Sequence, residues 1–135
     1  MSDNSPIHSY HAHVYYEPAT RGTAQALRQR IGERFSVQLG RWHDVPVGPH
    51  SAAMYQVAFA SEAFAAFVPW LMLHRAGLTV LVHPNTLAPR DDHLLHALWL
   101  GPPLALKPDV LPLRIDLRDE SPIVPNTTPH LAPWS

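Results

Sequence analysis

Cysteine is absent from this 135-residue sequence, which excludes disulfide bonds, thiolate metal sites and a cysteine nucleophile. No apolar run reaches the roughly 18 residues that a membrane-spanning helix requires. The first residues also lack the basic segment and apolar stretch of a secretory leader. We therefore expect a cytoplasmic protein with no membrane partner.

An excess of charge of either sign is also lacking. Ten Lys and Arg residues against eleven Asp and Glu residues give a formal net charge of −1 at pH 7. Without a basic patch, nucleic acid is not an expected partner. The P-loop, the dinucleotide-binding glycine motif, the serine-hydrolase elbow and the zinc-protease helix motif are missing as well, which excludes those enzyme classes.

Histidine and proline are abundant instead, with 10 and 15 residues, and many of the prolines lie in the last third. Histidine is the commonest metal ligand in proteins and titrates near neutral pH. The length suits one domain. We place that domain at residues 9–112, between a flexible N-terminus (1–8) and an extended Pro-rich C-terminal tail (113–135).

The stretch from Ser9 to Tyr16 has the alternating aromatic and β-branched pattern of a strand. Because side chains alternate between the two faces of a strand, His11, His13 and Tyr15 share one face and the small or apolar residues between them share the other. The Cα atoms of the two histidines would lie roughly 6.6 Å apart. Both can therefore reach one metal ion, or one can bind metal while the other moves protons.

The remaining periodicities predict the order β-α-β-β-α-β, which is typical of a ferredoxin-like α+β fold: an antiparallel sheet with two helices on one face. In that fold the fourth strand lies beside the first, so His83 is expected to join His11 and His13 on the open face. A short extra strand is expected at about 95–100. The other predicted elements are strands at 35–43, 53–59 and 78–83, the last stopped by Pro84, a helix at 20–34, and a helix from Ser61 that Pro69 kinks or restarts.

Two further histidines lie in suggestive loops. His50 ends a turn stiffened by two prolines and a glycine, which would aim its side chain reproducibly. His93 follows two aspartates in a predicted loop, where Asp92 could orient the imidazole or itself bind a metal. About half of the ten histidines are expected to be structural instead, His74 near a helix C-terminus among them.

Several segments together resemble the small fungal and bacterial group of the DOPA 4,5-dioxygenase family, over about residues 9–112. The resemblance implies a ferredoxin-like fold, often dimeric, and a non-haem Fe(II) site. It also implies extradiol cleavage of a catechol such as L-DOPA by O₂. The segments that carry it are His11-Ala-His13-Val-Tyr-Tyr, Val47-Gly-Pro-His50, Val68-Pro-Trp-Leu71, Gly77-Leu-Thr-Val-Leu-Val-His83-Pro84, Asp92-His93 and Trp99-Leu-Gly101.

Within this resemblance we expect a three-histidine iron site with His11, His50 and His83 as ligands. His13 or His93 would then be the catalytic acid–base group. Related oxygenases often include a carboxylate ligand, and Glu17, Asp44 and Asp92 remain open for that role. The residues expected to contact the substrate are Tyr15, Arg41 and Trp99.

Two rival hypotheses use the same scaffold. One is a non-catalytic ferredoxin-like dimer that binds a small molecule or a metal on its open face, and the other is a metal-dependent hydrolase or isomerase. A homodimer is expected in any of these cases, because the fold leaves a sheet face and an outer strand exposed.

Overall fold

The sheet is antiparallel throughout and confirms the ferredoxin-like order, with one strand added. The computed structural model describes residues 5–116 and 122–135, and the elements below are those of the described residues. The strands are β1 (Ser9–Tyr16), β2 (Gln38–His43), β3 (Ala53–Phe59), β4 (Val80–Asn85) and β5 (Leu98–Leu100), and the helices are α1 (Arg21–Arg34), α2 (Phe64–His74) and α3 (Pro89–Leu94). The strand order is β2-β3-β1-β4-β5, so β1 lies at the centre with β4 beside it.

Helices α1 and α2 cover one face of the sheet, as the sequence pattern predicts. The buried side chains of α1 are Ala24, Leu27 and Ile31, and they pack in the same core as Ala12 and Val14 of β1. Helix α2 adds Phe67, Val68, Trp70 and Leu71 to that core. Each large apolar side chain buried in this way stabilises the fold by about 1.5–3 kcal/mol. The core therefore fixes which face of β1 is left for the histidines.

The helix α2 does not restart at Pro69. The helix runs from Phe64 to His74 with Pro69 inside. The proline removes the hydrogen bond that would reach the carbonyl of Ala65, but Ala65 is exposed, so water can bind that oxygen. The buried residues on either side of Pro69 hold the helix together.

Strand β4 continues past Pro84 to Asn85, so the predicted stop at Pro84 is wrong. On its outer side β4 pairs with β5 only from Val80 to Val82. A proline beyond that point costs no ladder hydrogen bond on the outer side, and Pro84 still faces Tyr10 of β1. The extension carries His83 well inside the strand.

Residues Arg90 to His93 form a helix, not the predicted loop. Helix α3 has Pro89 in its first turn together with Asp91 and Asp92, and both residue types favour a helix N-terminus. The extra strand is correspondingly shorter than predicted, at Leu98–Leu100. Helix α3 buries Asp92 and His93 against the open face of the sheet.

The C-terminal segment 122–135 packs along β2 and the end of α1. The side chain of Asn126 accepts a hydrogen bond from Leu39 N at 2.8 Å and donates one to Leu39 O at 3.0 Å. Thr127 Oγ1 donates to Phe35 O at 2.7 Å. Residues 1–4 and 117–121, which belong to the predicted flexible terminus and tail, lie outside the described residues, and the boundary at residue 112 stays a prediction.

Candidate metal centre

Three histidines meet on the open face of the sheet. His11 of β1 is paired directly with His83 of β4, and His13 lies two residues further along β1. Each offers one imidazole nitrogen, and these nitrogens all lie within 4.8 Å of one another. His13 Nε2 and His83 Nε2 are 3.1 Å apart. The predicted approach of His83 to the His-x-His strand is thus observed.

The backbone fixes the tautomer of two imidazoles near this group. His83 Nδ1 lies 2.8 Å from Pro84 O, and His93 Nδ1 lies 2.7 Å from Pro89 O. A carbonyl oxygen only accepts hydrogen bonds, so both Nδ1 atoms carry the proton and donate it. The Nε2 atoms of His83 and His93 are therefore left with free lone pairs, as metal-binding histidines require.

The arrangement fits a transition-metal ion. Two nitrogens bound about 2.1 Å from a common ion, at angles of 90–110°, lie about 3.0–3.4 Å from each other, and the His13–His83 separation of 3.1 Å falls in that range. Imidazoles suit zinc, copper, iron and nickel, so the residues are compatible with Fe(II).

Burial keeps these imidazoles neutral. It lowers the pKa of His11 to about 4, and His93 nearby lowers it further in the same direction. Burial also places the pKa values of His13 and His83 well below the ordinary histidine value, and the neighbouring imidazoles add to the effect. A neutral imidazole has the lone pair that binds metal, so the site is prepared for a cation at neutral pH.

His50 and His93 flank the three histidines. The His50 ring centroid is 4.2 Å from that of His13, and the His93 centroid is 3.9 Å from that of His83. His50 is held from the loop side by its backbone bond to Val47 O, at 3.1 Å. Its Nδ1 also lies 2.6 Å from the hydroxyl of Tyr15. All five histidines of the expected site are therefore brought together.

The three carboxylates that the sequence left as possible metal ligands lie outside the histidine group or already accept hydrogen bonds from other residues. Asp92 is buried, and its two oxygens accept from Thr86 N at 2.8 Å and Thr86 Oγ1 at 2.6 Å. Asp44 binds Arg21 and the hydroxyl of Tyr16. Glu17 is exposed beyond the end of β1. Among the described residues the group that fits a metal consists of histidines alone.

The three expected substrate contacts have different surroundings. Tyr15 is only 3 % exposed, and its ring stacks on that of Trp99 with centroids 6.0 Å apart. This pair closes the apolar side of the histidine group, next to Leu81 and Met54. Arg41 is exposed on β2. The substrate-binding roles of all three stay predictions.

A cavity of about 340 Å³ opens on the other side of the histidine group. His11 and His93 line it, together with Gln38, Gln56 and Ala58, which the sequence reasoning missed. Alternation along β3 was the available signal, because it places Gln56 and Ala58 on the face opposite Tyr55 and Val57. A larger cavity of about 940 Å³ shares His8 and Thr86 with this one and has His83 in its lining.

Known proteins resemble this chain in sequence and in fold. The profile of the Dopa 4,5-dioxygenase family matches residues 10–110. The DOPA 4,5-dioxygenase of Amanita muscaria is 32% identical over 122 residues, which cover 84% of this chain and 54% of that protein. An uncharacterised 21.2 kDa protein of Botryotinia fuckeliana is 38% identical over 109 residues, covering 74% and 58%.

A solved structure supports the same relationship. The crystal structure of a candidate dioxygenase from Nostoc punctiforme shares 50% sequence identity and a TM-score of 0.78, covering 82% of this chain and 96% of that one. The present chain spans a little more than half the length of the two curated relatives. No helix in the described residues is long and apolar enough to cross a membrane.

Proposed function

The chain belongs to the Dopa 4,5-dioxygenase family, and from this membership we propose that it is an extradiol dioxygenase that cleaves a catechol such as L-DOPA with O₂ at a non-haem Fe(II) site. In this reaction the ring opens at the carbon–carbon bond next to the pair of hydroxylated carbons, and both atoms of O₂ enter the product. The observation that carries the proposal is the histidine group on the open face, whose ligand nitrogens lie within 4.8 Å of one another.

We further propose that His11, His13 and His83 hold the metal. In this set His13 replaces His50, which was the ligand expected from the sequence. The support is geometric: the Nε2 atoms of His13 and His83 have the separation of neighbouring ligands, 3.1 Å, and among the described residues the group whose ligand atoms lie within 4.8 Å of one another includes His13 and not His50. His50 and His93 then flank the ion without being required as ligands.

The protein's own groups supply the proton handling and the shape of the site. Fe(II) with open coordination positions would bind the two catechol oxygens and O₂ together. His93 Nε2 has a free lone pair, because Nδ1 donates to Pro89 O, and can accept a catechol proton. Tyr15 orients His50 through their 2.6 Å contact. The Tyr15–Trp99 pair closes the apolar side of the histidine group, away from the cavity, and so shields the imidazoles from water.

The test is oxygen consumption by the iron-loaded protein. Protein purified without oxygen and loaded with Fe(II) should consume O₂ and form a yellow product when L-DOPA or a simple catechol is added in air. His11→Ala should lose both iron and activity, whereas His130→Ala, at an exposed position of the C-terminal segment, should retain both. If the unmodified protein binds no iron and consumes no O₂ with any catechol, the proposal is contradicted and the non-catalytic binding dimer remains. Sedimentation of the same samples tests the homodimer.

A further inference from the structure

Across the open face of the sheet, histidine side chains on β4 and β1 are followed by glutamine side chains on β3 and β2. The strand registers place His83 opposite His11, His11 opposite Ala58, and Ala58 opposite Gln38. Two residues further along β1, His13 is opposite Gln56 of β3. These two rows of opposed residues run from the candidate metal centre into the 340 Å³ cavity, which Gln38, Gln56 and Ala58 line together with His11.

The spacing of these rows suits the far end of a bound catechol. Neighbouring strands lie about 4.8 Å apart, so Ala58 is one strand spacing from His11 and Gln38 is roughly 10 Å from it. A catechol held at the histidines by its two oxygens would extend its ring over Ala58. A substituent on the ring carbon far from the hydroxyl groups would then lie next to the two glutamines.

The glutamines differ in their surroundings. Gln38 Oε1 accepts a hydrogen bond from Val124 N at 3.3 Å, so the C-terminal segment holds it in place. Among the described residues, the carboxamide of Gln56 has no hydrogen-bond partner, although Gln56 is half-buried on the cavity wall. Gln56 can therefore both donate to and accept from a ligand. The methyl side chain of Ala58 leaves room for the ring.

We propose that Gln56, with Ala58 beneath the ring, makes the site selective for catechols that carry a short hydrogen-bonding substituent opposite the hydroxyl groups. This inference rests on the proposed function. An alkyl substituent would cover the Gln56 carboxamide without pairing with it, which is costly in a desolvated pocket. A hydroxyl-bearing substituent of the same size would satisfy it.

The experiment compares two probes of nearly equal shape. Isothermal titration calorimetry without oxygen measures how the Fe(II)-loaded protein binds 3,4-dihydroxybenzyl alcohol, 4-ethylcatechol and unsubstituted catechol. We expect the alcohol to bind about 3- to 10-fold more tightly than 4-ethylcatechol, the range of one hydrogen bond. Gln56→Leu should remove or invert this ratio. Gln29→Leu, the same change on the exposed side of α1, should preserve it.

A second variant tests the role of Ala58 independently of hydrogen bonding. Ala58→Val adds two methyl groups beneath the ring, so all three probes should lose affinity by a similar factor while the alcohol-to-ethyl ratio is preserved. An unchanged alcohol-to-ethyl ratio in Gln56→Leu, in protein that cleaves catechols, would overturn this inference and leave the proposed function intact. Fe(II)-loaded protein that binds none of the three probes and consumes no O₂ would overturn the proposed function itself.

Discussion

His11 and His83 stand directly opposite each other in the antiparallel pair of β1 and β4, with ring centroids 5.1 Å apart. This pairing joins two residues that are far apart in the sequence and places the candidate metal site on two inner strands of the sheet. Because α1 and α2 pack against both strands on the opposite face of the sheet, the three histidines lie on rigid elements and not on loops.

Replacing His83 by Gln should remove a ligand nitrogen while keeping a polar side chain of similar size. We expect the affinity for Fe(II) or Zn²⁺ to fall by more than about 100-fold, beyond the 10- to 100-fold loss typical of an outer-shell partner. The metal content of dialysed protein measures this. His74→Gln is the matched control, since His74 binds the Trp70 carbonyl at 2.8 Å on α2 and lies outside the site. Equal metal content in both variants would argue against His83 as a ligand.

Replacing Tyr15 by Phe removes the hydroxyl that contacts His50 Nδ1 at 2.6 Å. We expect the metal content to persist and the rate of ring cleavage to fall about 10-fold or more, because His50 is no longer oriented. Tyr55→Phe is the control: its buried hydroxyl donates to Ala24 O at 2.9 Å on the helix side. Both variants should lose about 1 kcal/mol of unfolding free energy, but only Tyr15→Phe should lose activity. A similar loss of activity in both would reduce Tyr15 to a structural role.

Replacing Asp92 by Asn should weaken the hydrogen bonds that join α3 to Thr86. Both Asp92 oxygens accept hydrogen bonds from Thr86, and His93 follows in the same helix. An amide has only one acceptor oxygen and no charge, so it cannot accept both bonds as the carboxylate does, at a cost of about 1–3 kcal/mol. We expect lower activity with unchanged metal content, and Thr86→Val, which removes the same side-chain bond, should reproduce the defect. Loss of the metal in Asp92→Asn would instead indicate that the carboxylate is a ligand.

Replacing Asn126 by Ala should release the C-terminal segment from β2. The amide makes two hydrogen bonds to Leu39 and occupies the outer edge of that strand. An uncovered strand edge can pair with another copy of the chain, so we expect concentration-dependent self-association in light scattering. Thr128→Ala, two residues further on and exposed, should behave as the unmodified protein does. An association state identical to that of the unmodified protein would show that Asn126 does not protect the edge.

The metal-free protein should lose stability in mild acid. Burial lowers the folded-state pKa values of His11 and His50 to about 4, whereas an unfolded histidine titrates near 6.5. The unfolded chain thus binds more protons between these values, and the free energy of unfolding falls as pH drops from about 6.5 to about 4. Denaturant unfolding of chelator-treated protein should give a lower free energy at pH 5 than at pH 7. Equal values would show that the imidazoles are not buried in the neutral form.

Much of the fold was predictable from local patterns. Strands β1 and β3 have the predicted bounds, because strict alternation and flanking loops define them in the sequence. Element bounds were predicted wrongly where the surrounding structure overrode the strong local preference of a residue. Pro69 stays inside α2 because its lost bond faces water, and Pro84 stays inside β4 because β5 has already ended there. Helix α3 was missed because six residues are too few for a helical period to be visible.

Which histidines share a face follows from the order of the residues alone. Side-chain alternation is a local property, so His11 and His13 had to point away from the core that Ala12 and Val14 enter. Which imidazole nitrogens meet depends on how the folded strands and loops pack. That depends on the register between β1 and β4, on the loop that brings in His50 and on the backbone carbonyls that orient His83 and His93. Register and side-chain orientation come from non-local contacts, and for that reason His13 approaches His83 as a neighbouring ligand would, which no spacing in the sequence indicated.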